Sequence, residues 1–207
     1  MRDLDLDAVK RMLTLAADRV IAARDVLTKA DQEIGDGDHG VAMERGFIAA
    51  RQAIAEKPAR TVGDVFKNAG MAILGAGGGA SGAVFGTLFI GAAKPLTSSS
   101  LDAPAFAAAL AAGLAAVQAR GKAKPGDKTM IDALAPAVET VQRMSGEPLS
   151  VAALAAAKSA RAGSEATKSM IAVTGKAKTL GERSLGHIDP GSITLSLILE
   201  GCADALQ

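Results

Sequence analysis

Apolar residues recur at the spacing of an α-helix along nearly the whole chain. Leu6, Val9, Leu13, Ala16 and Val20 trace one face of the first segment, and Val138, Val141 and Met144 trace another much later. The period-two alternation of a half-buried strand is missing, which leaves an all-α fold. The pattern predicts eight helices, at about 4–29, 40–56, 61–74, 81–94, 102–119, 129–145, 150–173 and 191–206. Several starts carry a side chain able to accept from unpaired backbone N–H groups: Thr61 with Asp64 three residues on, Asp102 ahead of an alanine-rich run, and Ser150 after Pro148. A length of 207 residues suits one domain, 1–207, with ample chain to bury a core.

Composition removes several function classes. Lys and Arg number 23 against 22 Asp and Glu, and Trp and Tyr are absent. There is neither a basic footprint nor a stacking platform for nucleic acid. The single Cys202 cannot form an internal disulfide, and "MRDLDLDAVKRM" lacks the apolar core of a secretory signal, so a cytoplasmic location is expected. Apolar stretches such as "GAVFGTLFIGAA" fall short of the roughly 20 residues that span a bilayer, and no membrane association is expected.

The connections sort into two kinds. Those after even-numbered helices, "KPAR", "PLTSSSL" and "SGEPL", are ordinary polar turns. Those after odd-numbered helices are "DQEIGDGDH", "GAGGGA", "RGKAKPGDK" and "GKAKTLGERSLGHIDP", rich in Gly, Asp, Lys and His, and they hold both histidines, His39 and His187. In an up-and-down bundle every second connection lies at the same end. Four chemically loaded loops are therefore expected at one rim.

Asp31, Asp36 and Asp38 supply hard oxygen ligands, and Gly35 and Gly37 let the backbone aim them at one point. The spacing is not that of an EF-hand; the alternative is a solvated acidic turn. "GAGGGASG" places glycines and Ser81 at a helix start, where free N–H groups and the helix dipole suit a phosphate. It lacks the Walker lysine and a preceding strand, and alone it reads more often as a flexible linker. Arg120, Lys122, Lys124 and Lys128 bring cations to the rim, but loop lysines are usually only solvated, and no single one stands out. "GERSLGHIDPGS" puts Asp189 and Pro190 at cap and first position of the last helix, after a connection long enough to act as a flap. From these residues alone the chain is a helical scaffold with a metal- and phosphate-binding end.

The set "IGDGDHG", "GGASG", "GKAKPGDKTMIDALAPA" and "LGERSLGHIDPGS" resembles, in order and over essentially the full chain, the nucleotide-binding L subunit of dihydroxyacetone kinases, the DhaL or DAK2-domain family. The resemblance implies a closed antiparallel up-and-down barrel of eight helices with the nucleotide–metal site at one end. It implies Asp31, Asp36 and Asp38 as ligands of two Mg²⁺ ions, with His39, Gly40, Val41, Ala42, Ala80 and Ser81 along the nucleotide phosphates. Gly121 and Met130 would contact the nucleoside, and Asp189, Pro190 and Gly191 would close over it. Lys176 stands where the family has a phosphate-contacting Arg, and keeps the charge without the two-pronged contact.

The activity implied is phosphoryl transfer from bound ADP-derived or ATP nucleotide to dihydroxyacetone held on a separate DhaK-type subunit. A DhaM-type phosphoryl donor and a homodimer are the further associations implied, and no catalytic residue is required beyond the metal site. Three other readings stay open: an ATP-dependent kinase subunit for another small ketose such as erythrulose, a fatty-acid kinase of the kind that carries additional domains, and a non-catalytic nucleotide-sensing regulator.

Overall fold

The computed structural model describes residues 3–207. It is mostly helical: α1 (Leu6–Ala22), α2 (Arg24–Ile34), α3 (His39–Glu56), α4 (Val62–Ala76), α5 (Gly79–Ala93), α6 (Ala103–Gly121), α7 (Ile131–Arg143), α8 (Leu149–Ala166) and α9 (Pro190–Asp204). Two 3₁₀ stretches, Thr167–Ser169 and Lys176–Ser184, lie between α8 and α9.

The helix expected at 4–29 is two helices. Ala23, at φ −89° and ψ 6°, leaves helical geometry while its N–H still bonds back to Val20 and Ile21, so α1 closes there and α2 begins at Arg24. α2 then runs to Ile34, further than expected, because Leu27, Asp31 and Ile34 recur on its buried face and no breaker precedes Gly35. Asp31 is thus a helical residue and not a loop residue. The expected helix to 173 stops at Ala166, and part of the expected flap is 3₁₀.

A second departure is a two-stranded antiparallel pair, β1 (Asp3–Asp5) with β2 (Ser100–Asp102), in which Leu4 faces Leu101 and both are buried. Three residues are too few to show alternation in a sequence. Each strand runs directly into a helix whose N-cap is its last residue: Asp5 accepts from Ala8 N–H at 2.8 Å, and Asp102 from Ala105 N–H at 2.8 Å. Thr61 and Asp64 form the expected capping box. α8 begins one residue ahead of Ser150, with Pro148 in the cap position.

Successive helices pack on one another, from α3 against α4 through to α8 against α9; α1 lies on α3, and α9 lies on α1. Small residues make this possible. An added Cβ on Gly201 of α9 would meet Ala16 Cα of α1 at 2.6 Å, so the two backbones touch there. α3, α4 and α5 meet through Phe47, Phe66 and Phe89, with ring centroids 6.1 Å apart for Phe47 and Phe89 and 6.0 Å for Phe66 and Phe89. α6 corrects the reading that no stretch reaches bilayer length. At 19 residues and mean hydropathy 1.3 it is long and apolar enough, yet it packs between α5 and α7 as a bundle helix. Its alanines suit close helix contact, and the same composition mimics a span.

The backbone contact between α9 and α1 makes a paired prediction. Gly201→Ala forces Ala16 away and should lower stability by about 1–3 kcal/mol. At Gly75, where an added Cβ meets nothing within 4 Å, the same change should raise stability by up to about 1 kcal/mol. Urea melts of the two variants check both signs.

Candidate functional site

The four loaded connections meet. Residues from all of them line one cleft of about 440 Å³. On one side Asp31 stands in the last turn of α2, and Asp36 and Asp38 follow in the turn to α3. One oxygen from each carboxylate lies within 4.8 Å of the other two. The glycines between have distinct roles: a Cβ on Gly35 would collide with Asp31 Oδ1 at 2.2 Å, and Gly37 takes φ +79°, which only glycine adopts at no steric cost.

Such a cluster needs cations, and the chain offers one. Lys176, from the 3₁₀ segment before α9, sets its Nζ against Asp36 and reaches Asp38 Oδ2 at 3.3 Å. Hydrogen bonding to Lys176 holds the Asp36 carboxyl below the usual carboxylate range, and the same contact raises Lys176 above that of an ordinary lysine. An ammonium drawn onto two of three carboxylates marks a point where positive charge is favoured. Hard oxygen donors at this spacing fit a divalent cation such as Mg²⁺.

His39 opens α3 but is only 4% exposed. Its backbone N–H donates to Asp31 Oδ2 at 3.1 Å, its Nε2 lies 2.8 Å from Thr194 Oγ1 of α9, and its Nδ1 lies 2.9 Å from Ser81 Oγ of α5. Thr194 spends its proton on Pro190 O at 3.2 Å, so it accepts from Nε2–H, and Ser81 O–H donates to Nδ1. Burial pushes the imidazole down to about 4, against the pull of Asp31 and Asp38. His39 borders the cleft as a neutral crosslink of three helices.

Across from the carboxylates, Gly78 (φ +75°) and Gly79 (φ +57°) lead into α5, whose first turn holds Ala80 and Ser81 and has no side-chain cap. Arg45 of α3, which sequence reasoning did not single out, donates to Gly77 O at 3.1 Å and also lines the cleft. The remaining wall is Thr129 and Met130 with Asp189, Pro190 and Gly191. Asp189 caps α9 by accepting from Ser192 N–H at 2.7 Å; burial pushes its carboxyl up to about 7, with Asp132 and Asp31 adding to the rise.

Val41, Ala42, Ala80, Ser81, Met130 and Lys176 all line the cleft with the three aspartates. Two anticipated residues do not. Gly40 lies behind it, pressed on α2 so closely that a Cβ would sit 2.3 Å from Arg24 O, and its absence of side chain serves helix packing. Gly121 ends α6 in the open, with nothing within 4 Å of an added Cβ. His187, on the flap, bonds Glu33 of α2 at 3.0 Å. Lys128, expected at the rim with Arg120, Lys122 and Lys124 but not singled out from them, is 3% exposed and part of the cleft. A single sequence offers no sign that it differs from Lys122 and Lys124.

By its chemistry this cleft, in a mostly helical chain, can hold a divalent cation together with a polyanion. The DAK2 domain matches residues 33–204, and the chain belongs to the DAK2-domain family. It is 41% identical over 198 residues to the ADP-binding subunit DhaL of the PEP-dependent dihydroxyacetone kinase of Escherichia coli, covering 94% of each chain. With DhaL of kinase 1 of Listeria innocua it shares 39% over 194 residues, 94% of this chain and 93% of the other. Among solved structures it is similar to the dihydroxyacetone kinase of C. freundii in complex with AMP-PNP and Mg²⁺, with TM-score 0.73 and 25% identity. That match covers 95% of this chain and 33% of the other, so the chain spans about a third of that kinase.

The buried His39 fixes a pH dependence. Its folded value lies below the unfolded 6.5, so the unfolded chain binds the proton first; the stability it confers is complete above about 6.5 and is lost as pH falls toward about 4. The stability difference between wild type and His39→Gln should therefore shrink by about 2 kcal/mol from pH 7 to pH 5. Urea titrations of both proteins at the two pH values measure it.

Proposed function

We propose that the chain is the nucleotide- and Mg²⁺-binding subunit of a dihydroxyacetone kinase, which presents a phosphoryl group to dihydroxyacetone held on a separate DhaK-type subunit. One observation carries the reading: three carboxylates with oxygens within 4.8 Å of one another share a single cleft with an uncapped helix start. Relatives that match along nearly their whole length are named ADP-binding subunits of this kinase, and a structural relative was solved with AMP-PNP and Mg²⁺.

In this reading Asp31, Asp36 and Asp38 would hold two Mg²⁺ ions, which would supply charge neutralisation for the polyphosphate. The chain's own residues do the placing. Asp31 is fixed by the His39 N–H, so its carboxylate enters the site already oriented. The N–H groups of the first turn of α5, that of Ser81 among them, receive phosphate oxygens, helped by the helix dipole, while the Ser81 hydroxyl stays on His39. Lys176, held on Asp36 and Asp38 without the ions, would be free to turn to the phosphates where those carboxylates held Mg²⁺. No side chain here needs to act as a nucleophile, because the acceptor hydroxyl belongs to the ketose. The packing of α9 on α1 supports a closed helical barrel, a frame that keeps the loops of one rim in register.

ADP is then a resident cofactor, rephosphorylated in place by a DhaM-type donor. Lys176 favours a second reading. A single ammonium, already engaged by two carboxylates, grips a nucleotide less firmly than a forked guanidinium, which suits reversible ATP use by a kinase subunit for dihydroxyacetone or another small ketose.

Denaturing protein purified without added nucleotide and identifying what it releases separates the two. Near-stoichiometric ADP supports the resident cofactor; an empty site that binds MgATP reversibly supports the second reading. In either case Asp36→Asn should weaken Mg²⁺-dependent nucleotide binding roughly 100-fold, from the loss of about 3 kcal/mol at one member of a charge cluster. A wild-type chain that binds neither nucleotide overturns both.

A further inference from the structure

Three lysines lie between α6 and α7, and one is unlike the others. Lys122 and Lys124 are exposed, whereas Lys128 is 3% exposed; Lys122, as the C-cap of α6, and Lys128 both sit in the left-handed region that an L side chain with a long stem avoids, at φ +56° and +60°, but Lys128 does so while buried. That conformation costs on the order of 1–2 kcal/mol, and the loop is built to hold it. The buried Asp132 carboxylate accepts from Gly126 N–H at 2.5 Å and Thr129 N–H at 2.7 Å, on either side of Lys128. Asp127 accepts from Lys124 N–H at 2.9 Å.

The ammonium reaches two main-chain carbonyls from separate parts of the chain. Nζ donates to Thr167 O, just past α8, and to His187 O, just before α9, at 2.6 Å each. Thr167 continues the connection: its hydroxyl donates to Ser164 O at 2.6 Å and accepts from Asp189 N–H at 3.0 Å. The stretch His187–Asp189 is thereby fixed at both ends, to Lys128 at one and Thr167 at the other. Beyond it, Gly191 faces Met130 so closely that an added Cβ would lie 3.5 Å from Met130 Cβ. Both sides of that gap line the cleft.

An apolar side chain would fill the same volume without the cost of burying a charge. Burial does push the Lys128 ammonium below the ordinary lysine range, while Asp189 and Asp132 pull it back up. The arrangement makes sense where two carbonyls must be held at a set separation from the loop.

We propose that Lys128 is a positioning residue for the nucleotide: by clamping the carbonyls of Thr167 and His187 to the loop that carries Met130, it sets the width of the wall formed by Met130 and Asp189–Gly191. This rests on the nucleotide-binding reading above. Among the described residues no hydrogen bond or ion pair joins the Lys128 ammonium to Asp31, Asp36 or Asp38, its hydrogen bonds going to Thr167 O and His187 O, and that supplies the test.

Lys128→Asn keeps a residue that tolerates φ > 0 and removes the ammonium. MgADP affinity should fall at least about tenfold, a loss of about 1.4 kcal/mol, while Mn²⁺ binding to the nucleotide-free aspartate site, read by paramagnetic resonance, stays within about twofold. Amide exchange in the ligand-free protein should quicken at 185–191. Lys128→Cys in a Cys202→Ala background, alkylated with 2-bromoethylamine in denaturant and then refolded, restores length and charge at this buried position and should recover affinity. Unchanged MgADP affinity in Lys128→Asn overturns the proposal, as does an equal loss of Mn²⁺ and MgADP binding, which would mark general damage to the fold. Wild-type protein that fails to bind MgADP in the same titration overturns instead the reading on which the proposal rests.

Discussion

Three carboxylates held with oxygens inside 4.8 Å of one another repel, and the rest of the rim is arranged around that repulsion. Asp31 is held by the His39 N–H at the start of α3, where the helix dipole favours negative charge. Asp36 and Asp38 draw Lys176 across from a segment about 140 residues away in sequence. α5 brings its uncapped start to the same cleft. Each response requires a different helix end to arrive at one place, and so the electrostatic problem of a short turn becomes a constraint on how the bundle is packed.

His39 is where the constraint becomes a joint. A neutral imidazole hydrogen-bonded to Ser81 and Thr194 links α3, α5 and α9 immediately beneath the carboxylates. Protonating it would bury a charge, so the same burial that makes it a firm crosslink keeps it from serving as a cation for phosphate. The backbone contacts at Gly201 and Gly40 act in the same sense. They bring α9 onto α1 and α3 onto α2 without intervening side chains, and a rim carried by helices in backbone contact has little freedom to drift.

Helical periodicity made the all-α class legible, and the alternation of plain and loaded loops made the shared rim legible, because both are properties of spacing. What spacing could not show was direction and depth. Asp31 read as a loop ligand since nothing in "DVLTKADQEI" announces that the helix continues, although Leu27, Asp31 and Ile34 share its buried face. Gly40 and Gly121 look alike beside a motif, yet one is pressed against α2 and the other stands in solvent. The β1–β2 pair is too short to alternate. α6 carries the composition of a span and the environment of a bundle helix.

The two lysines of the cleft show why charge counts alone mislead. Lys176 lies on a surface segment bounded by Gly175 at φ +62° and containing Gly181 at φ +55°; its partners are exposed carboxylates, so it can exchange them for other anions at small cost. Lys128 is buried, its backbone is held in the left-handed region, and its partners are carbonyls of the protein itself. A side chain that must answer a changing ligand charge needs exposure and glycine on either side. One that defines the shape into which the ligand fits needs the opposite. In a sequence both are lysines in glycine-rich loops, and only the depth at which the fold places them separates the two roles.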